Sequence, residues 1–331
     1  MPSPMPRRPP EGEPETFGPA YTTGGSYRAR AEARQRRYRA EVLGAGWDTH
    51  GHWLNAEANR NGANFVVPVA HTAALRRRDA GKGVAERTFQ NMLSSQAMCF
   101  NLFGPLADDL DLATKVLAAV VPGLVRVRSV AIEYTPAADA FGDQSGRGGV
   151  DCDVLVEATF STGENVVVIE TKFVEEAFST CGFRRAGRAG RGQVVCPDDV
   201  PVRDDREACA YHGVKGYGYW RRTDEHRTLA ALPESGCPFG GPLWQLWVNH
   251  ALAHVEAARR GAGRAMFLVC APGDNEALLR GGRVLADFRA RLRDPGTVDM
   301  LPVDGLIDRI GEVAGEGSEW ARGLRARYGG I

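Results

Sequence analysis

The stretch VVVIETKF, residues 166–173, constrains this chain more than any other: a run apolar enough to be buried on both faces of a sheet carries Glu170 and Lys172 in its middle. A buried charge is destabilising by several kcal/mol unless it is paired or binds a metal, so two of them two residues apart need a chemical reason. Only four of the 41 basic residues are lysines, Lys82, Lys115, Lys172 and Lys215, so Lys172 is not filler in an arginine-rich chain.

Alternation along a strand puts Glu170 and Lys172 on one face, and Asp151 and Asp153 on one face of the preceding strand, VDCDVLVEATF (150–160). The connection STGE has hairpin chemistry. A turn centred near residues 161 and 162 sets position 153 opposite 170, with Asp151 as the alternative acid nearer the strand start. Two carboxylates and one lysine then converge. A divalent cation relieves the repulsion between the acids, and Mg2+ takes one or two carboxylates, a main-chain carbonyl and a phosphate oxygen. Metal-assisted phosphodiester hydrolysis is the chemistry such a group would serve. The competing reading is a solvated pair at a sheet edge, with the aspartates in a turn.

The rest of the chain supplies a scaffold. With 331 residues and 43% hydrophobic content it can bury a full core. Its 41 basic and 41 acidic residues cancel, which removes any overall field toward nucleic acid or an anionic membrane; basic surface has to be local. No apolar run reaches the length of a membrane helix, the start MPSPMPRRPPEGEPE lacks a signal core, and seven scattered cysteines do not form a secreted framework. The expectation is a cytoplasmic protein with reduced thiols and no membrane partner.

Residues 1–26 read as a disordered tail, and 27–331 as one domain with helical additions at both ends. Residues 27–43 read as an arginine-dense helix whose arginines form a solvated face, with a phosphate-contacting face as the alternative. Residues 86–103 read as a helix, stopped by Gly104 and Pro105, and 108–120 as another. Strands follow at 125–134, 150–160 and 165–175, then a long irregular segment at about 177–240. A helix at 243–260, a strand at 265–272 and weaker helices complete the chain. This order predicts a mixed sheet flanked by helices, of the α/β or α+β class.

Asp153 followed by Glu170, Thr171 and Lys172 resembles the PD-(D/E)XK nuclease superfamily, over roughly residues 86–275. The resemblance implies a restriction-endonuclease-like α-β-β-β-α-β core and a Mg2+- or Mn2+-dependent nuclease. It implies Asp153, Glu170 and the Thr171 carbonyl as metal ligands, and Lys172 as the group that orients the attacking water. Nucleic acid is the implied partner, DNA favoured over RNA. The resemblance further implies a supporting acid on the helix before the sheet, for which Glu86 is the match. Along one helix Leu93 and Ala97 lie within about 20° of Glu86, with Gln96 about 80° away. Where RecB-like members carry a Gln-x-x-x-Tyr pair after the hairpin, this chain has Gln245 and Asn249 and lacks the tyrosine. The alternative is a binding module with the same fold and a weak or lost active site. The sequence fixes no oligomeric state and permits a homodimer.

Other motifs carry less. Cys181, Cys196, Cys209 and Cys237 follow the hairpin without any Cys-x-x-Cys pair. They read as unrelated thiols rather than as ligands of Zn2+ or an iron-sulfur cluster, even with Cys99 added. HALAH (250–254) lacks the glutamate of a zinc protease and reads as solvated or interfacial histidines. CGFRRAGRAGRG (181–192) reads equally as a phosphate-gripping arm or a plain loop, and GDNE (273–276) as a strand-to-helix cap.

Overall fold

The computed structural model describes residues 12–22, 24–81, 83–143, 150–184, 196–230 and 232–331. Its centre is a five-stranded sheet in sequence order: β1 (Leu124–Tyr134), β2 (Cys152–Phe160), β3 (Gly163–Thr171), β4 (Arg264–Ala271) and β5 (Val298–Pro302). The first three strands are antiparallel and the last two join in parallel, which makes the sheet mixed, as expected. Strand β5, VDMLP, went unread in the sequence because five residues carry too little alternation.

The helices are α1 (Tyr27–Arg37), α2 (Ala56–Arg60), α3 (Pro68–Asp79), α4 (Arg87–Gln90), α5 (Ser95–Asp108), α6 (Leu110–Ala118), α7 (Tyr219–Glu225), α8 (Leu243–Arg259), α9 (Glu276–Leu279), α10 (Arg283–Arg289), α11 (Val303–Ala314) and α12 (Glu319–Tyr328). Helices α5 and α6 cover β1, and α8 covers β3 and β4. Both faces are therefore buried. Val154, Val156, Val167 and Ile169 pack with Phe100, Phe103, Leu306 and Ile307, while Leu155, Val166 and Val168 pack with Leu246, Leu252, Phe267 and Phe288. Each such side chain contributes about 1.5–3 kcal/mol, which explains why β2 and β3 read as near-continuous apolar runs.

Helix formation departs from the expected pattern in two places. The helix expected over 86–103 is broken. Asn91 takes an extended conformation, bridges to Trp53 and accepts the Leu93 N–H on its side chain, and the Ser94 hydroxyl then caps α5. Conversely, Gly104 and Pro105 do not stop α5. Proline removes the N–H that would reach Asn101 O, but the Trp320 indole donates to that carbonyl instead at 2.8 Å. A Cβ on Gly104 would stand 2.9 Å from Ala70 Cα, so the glycine serves close packing against α3.

The N-terminal region also differs. Within the stretch read as a tail, Phe17 and Ala20 are buried, and Arg36 donates to Phe17 O and Gly18 O and pairs with Glu13. Residues 1–11 lie outside the described residues. Arg36 and Arg39 on the supposedly solvated helix are 1% and 2% exposed. Nearby, buried Glu32 accepts from the Thr22 N–H at 2.8 Å and sits 3.2 Å from His52 Nδ1. Burial alone would raise its pKa. The His52 partnership and hydrogen bonds from Tyr21 and Thr22 overcome that and bring it down to about 2 from 4.5. A depressed acid stabilises the fold fully above its unfolded value, so about 3 kcal/mol is present above pH 4.5 and disappears as pH falls to about 2. Urea unfolding from pH 5 to pH 2 should therefore show a shallower loss of stability in Glu32→Gln than in the native chain. Parallel curves would contradict this.

Candidate active site

The hairpin fixes the geometry of the centre. Phe160 pairs with Gly163 across the two-residue connection Ser161–Thr162, and Gly163 supplies the φ of +119° that the turn requires. The register then runs to Val154 opposite Ile169, which sets Asp153 abreast of Glu170 at the open end of the sheet. Lys172 lies just past β3, and its N–H still bonds Cys270 O at 2.8 Å, so the backbone is held as strand through the lysine.

Glu170 is 4% exposed, and both its oxygens are engaged. Lys172 Nζ lies 2.7 Å from Oε1, Gln245 Nε2 donates to Oε1 at 2.6 Å, and Asn249 Nδ2 donates to Oε2 at 2.7 Å. Helix α8 thus turns two amides, one helical turn apart, onto a single carboxylate. Asp153 Oδ2 accepts the Thr171 N–H at 2.6 Å, which locks the strand ends together. Burial and repulsion from Glu170 and Glu133 push the Asp153 pKa well above the usual carboxylate range. Burial works against the Lys172 ammonium, but Glu170, Glu175 and Asp153 more than offset it and raise its pKa.

These groups floor a cleft of about 450 Å³ lined also by Gln96, Ser94, Glu175, Arg28 and Arg87. Gln96 donates to Gly83 O at 2.9 Å and accepts from the Ala85 N–H and the Thr88 hydroxyl, so it holds the 83–88 turn at the rim. Asn275 caps α9 as expected, and its amide also donates to Phe173 O and Glu175 O, tying down the chain beyond Lys172.

Glu86 is not in the site. With the helix broken at Asn91, it is an exposed residue at the head of α4, outside the cleft lining. Asp151 is exposed and stands before β2, while Asp153 holds the place beside Glu170. Sequence reasoning missed Glu133 on β1, which lies abreast of Asp153 and is 7% exposed. Burial, together with the charges of Glu170 and Asp151, pushes its pKa up to about 7 against a bond from Gln96 and the field of Arg77. The only signal was an acid at the penultimate position of the strand that precedes β2 in the sequence.

The remaining motifs lie elsewhere. Cys181 and Cys209 are buried, Cys196 and Cys237 half-buried, and all seven thiols are free; burial pushes Cys181 up to about 11 and Cys237 to about 12. Cys99, on α5, donates its thiol to Asp153 O at 3.7 Å. Among the described residues no group of three or more His, Cys, Asp or Glu side chains is gathered to hold a metal ion. His250 is not solvated but 2% exposed and bonded to Thr297 Oγ1 at 2.9 Å. Burial lowers the His250 pKa well below the ordinary histidine range and that of His254 to about 4. Residues 185–192 of the arginine-rich arm lie outside the described residues.

No helix among the described residues is long and apolar enough to cross a membrane. No curated protein and no solved structure is significantly similar to the chain. The sequence pattern of the PD-(D/E)XK nuclease superfamily, whose members are generally nucleases and typically use divalent metals, matches residues 23–192 and 237–330. A match over this much of the chain, on a mixed sheet flanked by helices, places it in the PD-(D/E)XK nuclease superfamily.

Proposed function

We propose that this protein hydrolyses phosphodiester bonds of nucleic acid, DNA in preference to RNA, with Mg2+ or Mn2+ held by Asp153, Glu170 and the carbonyl of Thr171. One observation carries the reading: a buried Glu170 gripped by Lys172 at 2.7 Å and by two amides of α8, beside an Asp153 whose negative charge is disfavoured where it stands. The donors fit the ion. They are hard oxygens, few in number, which suits a cation that keeps water and a substrate phosphate in its shell. When bound, the ion supplies Lewis acidity toward the phosphoryl oxygen and acidifies a coordinated water.

The chain's own residues do the rest. Gln245 and Asn249 fix the Glu170 carboxylate, and a carboxylate offers about four lone-pair sites, of which the three observed donors leave one for a cation. Lys172, permanently charged in this field, orients the attacking water and stabilises the charge that gathers on the phosphorus oxygens. Arg28 and Arg87 on the cleft wall are placed to meet flanking phosphates, supplying locally the positive charge that the chain lacks overall.

The test is incubation of the full chain with plasmid, single-stranded DNA and RNA, each with Mg2+, Mn2+ or EDTA. Cutting of DNA with either cation and none in EDTA is expected. Cleavage that survives EDTA would refute the metal assignment. Metal-independent binding without any cutting would favour the binding-module alternative.

A further inference from the structure

We infer that a second cavity, at the end of the sheet away from the cleft, binds a small phosphate-bearing molecule of about mononucleotide size. It lies between the end of α7, the second half of α8, the entry to β4 and the turn before β5, and it encloses about 330 Å³. That volume is in the range of small-ligand sites. Arg264 on its wall pairs across β3 and β4 with Asn165, whereas Glu170 pairs with Val269, so a run of strand about 17 Å long separates it from the active centre.

The balance of charge carries the assignment first. Arg227, Arg264 and Arg293 line the cavity, and Asp294 is the one acid among the described lining residues. That acid is already engaged: it pairs with Arg264 at 3.4 Å and accepts the Gly296 N–H. Among the described residues neither Arg227 nor Arg293 gives its guanidinium a hydrogen-bond or carboxylate partner. Two unneutralised guanidiniums on one concave wall are a counter-charge for a dianion, and their planar forks match the oxygens of a phosphate.

The backbone at Arg227 is the second observation. It has φ +50° just past α7, at the position where glycine commonly ends a helix. An arginine held where glycine fits better keeps its side chain at the junction of this cavity with a neighbouring one that Arg293 also borders.

The buried lining residues supply the third. Thr297 Oγ1 donates to Asp294 O at 2.7 Å, so it accepts from His250 Nε2 at 2.9 Å, and that nitrogen carries the proton. His254 Nε2, 3.3 Å away, is then the bare nitrogen, and its Nδ1–H makes no hydrogen bond among the described residues. Thr228 is 5% exposed with an unpartnered hydroxyl, and His250 is 2% exposed with an unpartnered Nδ1. Such atoms at a cavity wall are what a polar ligand satisfies. Burial lowers the pKa of His226, His250 and His254, so the histidines hydrogen-bond as neutral rings while the arginines bring the charge. Because Thr228 and His250 are buried, the terminal phosphate of a small molecule reaches them and the middle of a continuous strand does not.

Titration calorimetry of the full chain in EDTA tests the site, with adenosine 5′-monophosphate, inorganic phosphate and a single-stranded oligodeoxynucleotide without terminal phosphates as probes. The native chain is compared with the double variant Arg227→Gly, Arg293→Ala and with Arg309→Ala, a change to an exposed arginine on α11. The native chain should bind the mononucleotide, and the double variant should bind it about tenfold more weakly or worse, while Arg309→Ala should match the native within about twofold. Glycine suits the backbone at 227, so the unliganded double variant should unfold no earlier than the native chain; Arg293→Gln alone repeats the comparison if it does. Absence of binding by the native chain to either small anion, or equal affinity in the variant carrying the lost arginines, overturns the inference. So does an oligonucleotide whose binding alone falls in that variant, which would make the surface a nucleic-acid track.

Discussion

Lys172→Met is expected to lower the rate of DNA cleavage by about a thousandfold or more in saturating Mg2+, the scale set by removing one positioned charge from a phosphoryl-transfer site. The lysine also neutralises a glutamate that is 4% exposed, so its loss is expected to destabilise the protein by about 3–5 kcal/mol when no cation is present. Lys172→Arg separates the two effects. It keeps the positive charge beside Glu170 and most of the stability, but its planar fork cannot stand where a compact ammonium stood, so cleavage should still fall by about a hundredfold. Single-turnover cleavage and thermal unfolding of both variants give the readout. Either variant cutting within tenfold of the native rate while folded would remove Lys172 from the reaction.

Arg327→Met is expected to be the most damaging single change away from the cleft. Arg327 on α12 is fully buried, and its hydrogen bonds go to neutral oxygens: Gln35 Oε1 at 2.9 Å, Asn64 O at 2.6 Å, Asn64 Oδ1 and Met92 O. Its guanidinium also faces the Tyr38 and Tyr328 rings, at 5.9 and 5.0 Å from their centroids. Methionine fills the volume but strands four acceptors in the interior, for a loss of about 3–5 kcal/mol. The unfolding midpoint should fall by roughly 4–7 °C, and Lys should not rescue it because an ammonium cannot span the same four oxygens. A drop below about 2 °C would show that water replaces the guanidinium at little cost. Met92 O leads into the Leu93–Ser94 wall of the cleft, so cleavage should decline with the fold rather than ahead of it.

Much of the centre could be read from the sequence because it depends on local rules. The two-residue hairpin connection sets the register by symmetry about residues 161 and 162. Strand alternation then fixes which side chains meet, and the helical interval between Gln245 and Asn249 brings both amides to one carboxylate. What escaped depends on contacts distant in sequence. Glu86 was misplaced because Trp53 bridges to Asn91 and breaks the helix that would have carried it inward. The supposed stop at Gly104 and Pro105 failed because Trp320, more than two hundred residues on, supplies the missing donor. Glu133 resembled an ordinary polar residue in a strand that also carries Arg126 and Arg128; only the pairing of β1 with β2 shows that it faces Asp153.

The family's shared pattern leaves out residues 193–236, yet the described part of that segment packs against α8. Trp220 meets Trp247 at 4.6 Å between ring centroids, Tyr211 stacks on Trp244 at 4.5 Å, and the Trp247 indole donates to Thr223. Trp247 sits midway between Gln245 and Asn249. The portion of the chain outside the family match thus backs the helix that aims two amides at Glu170, so whatever loosens it slackens the grip on that carboxylate.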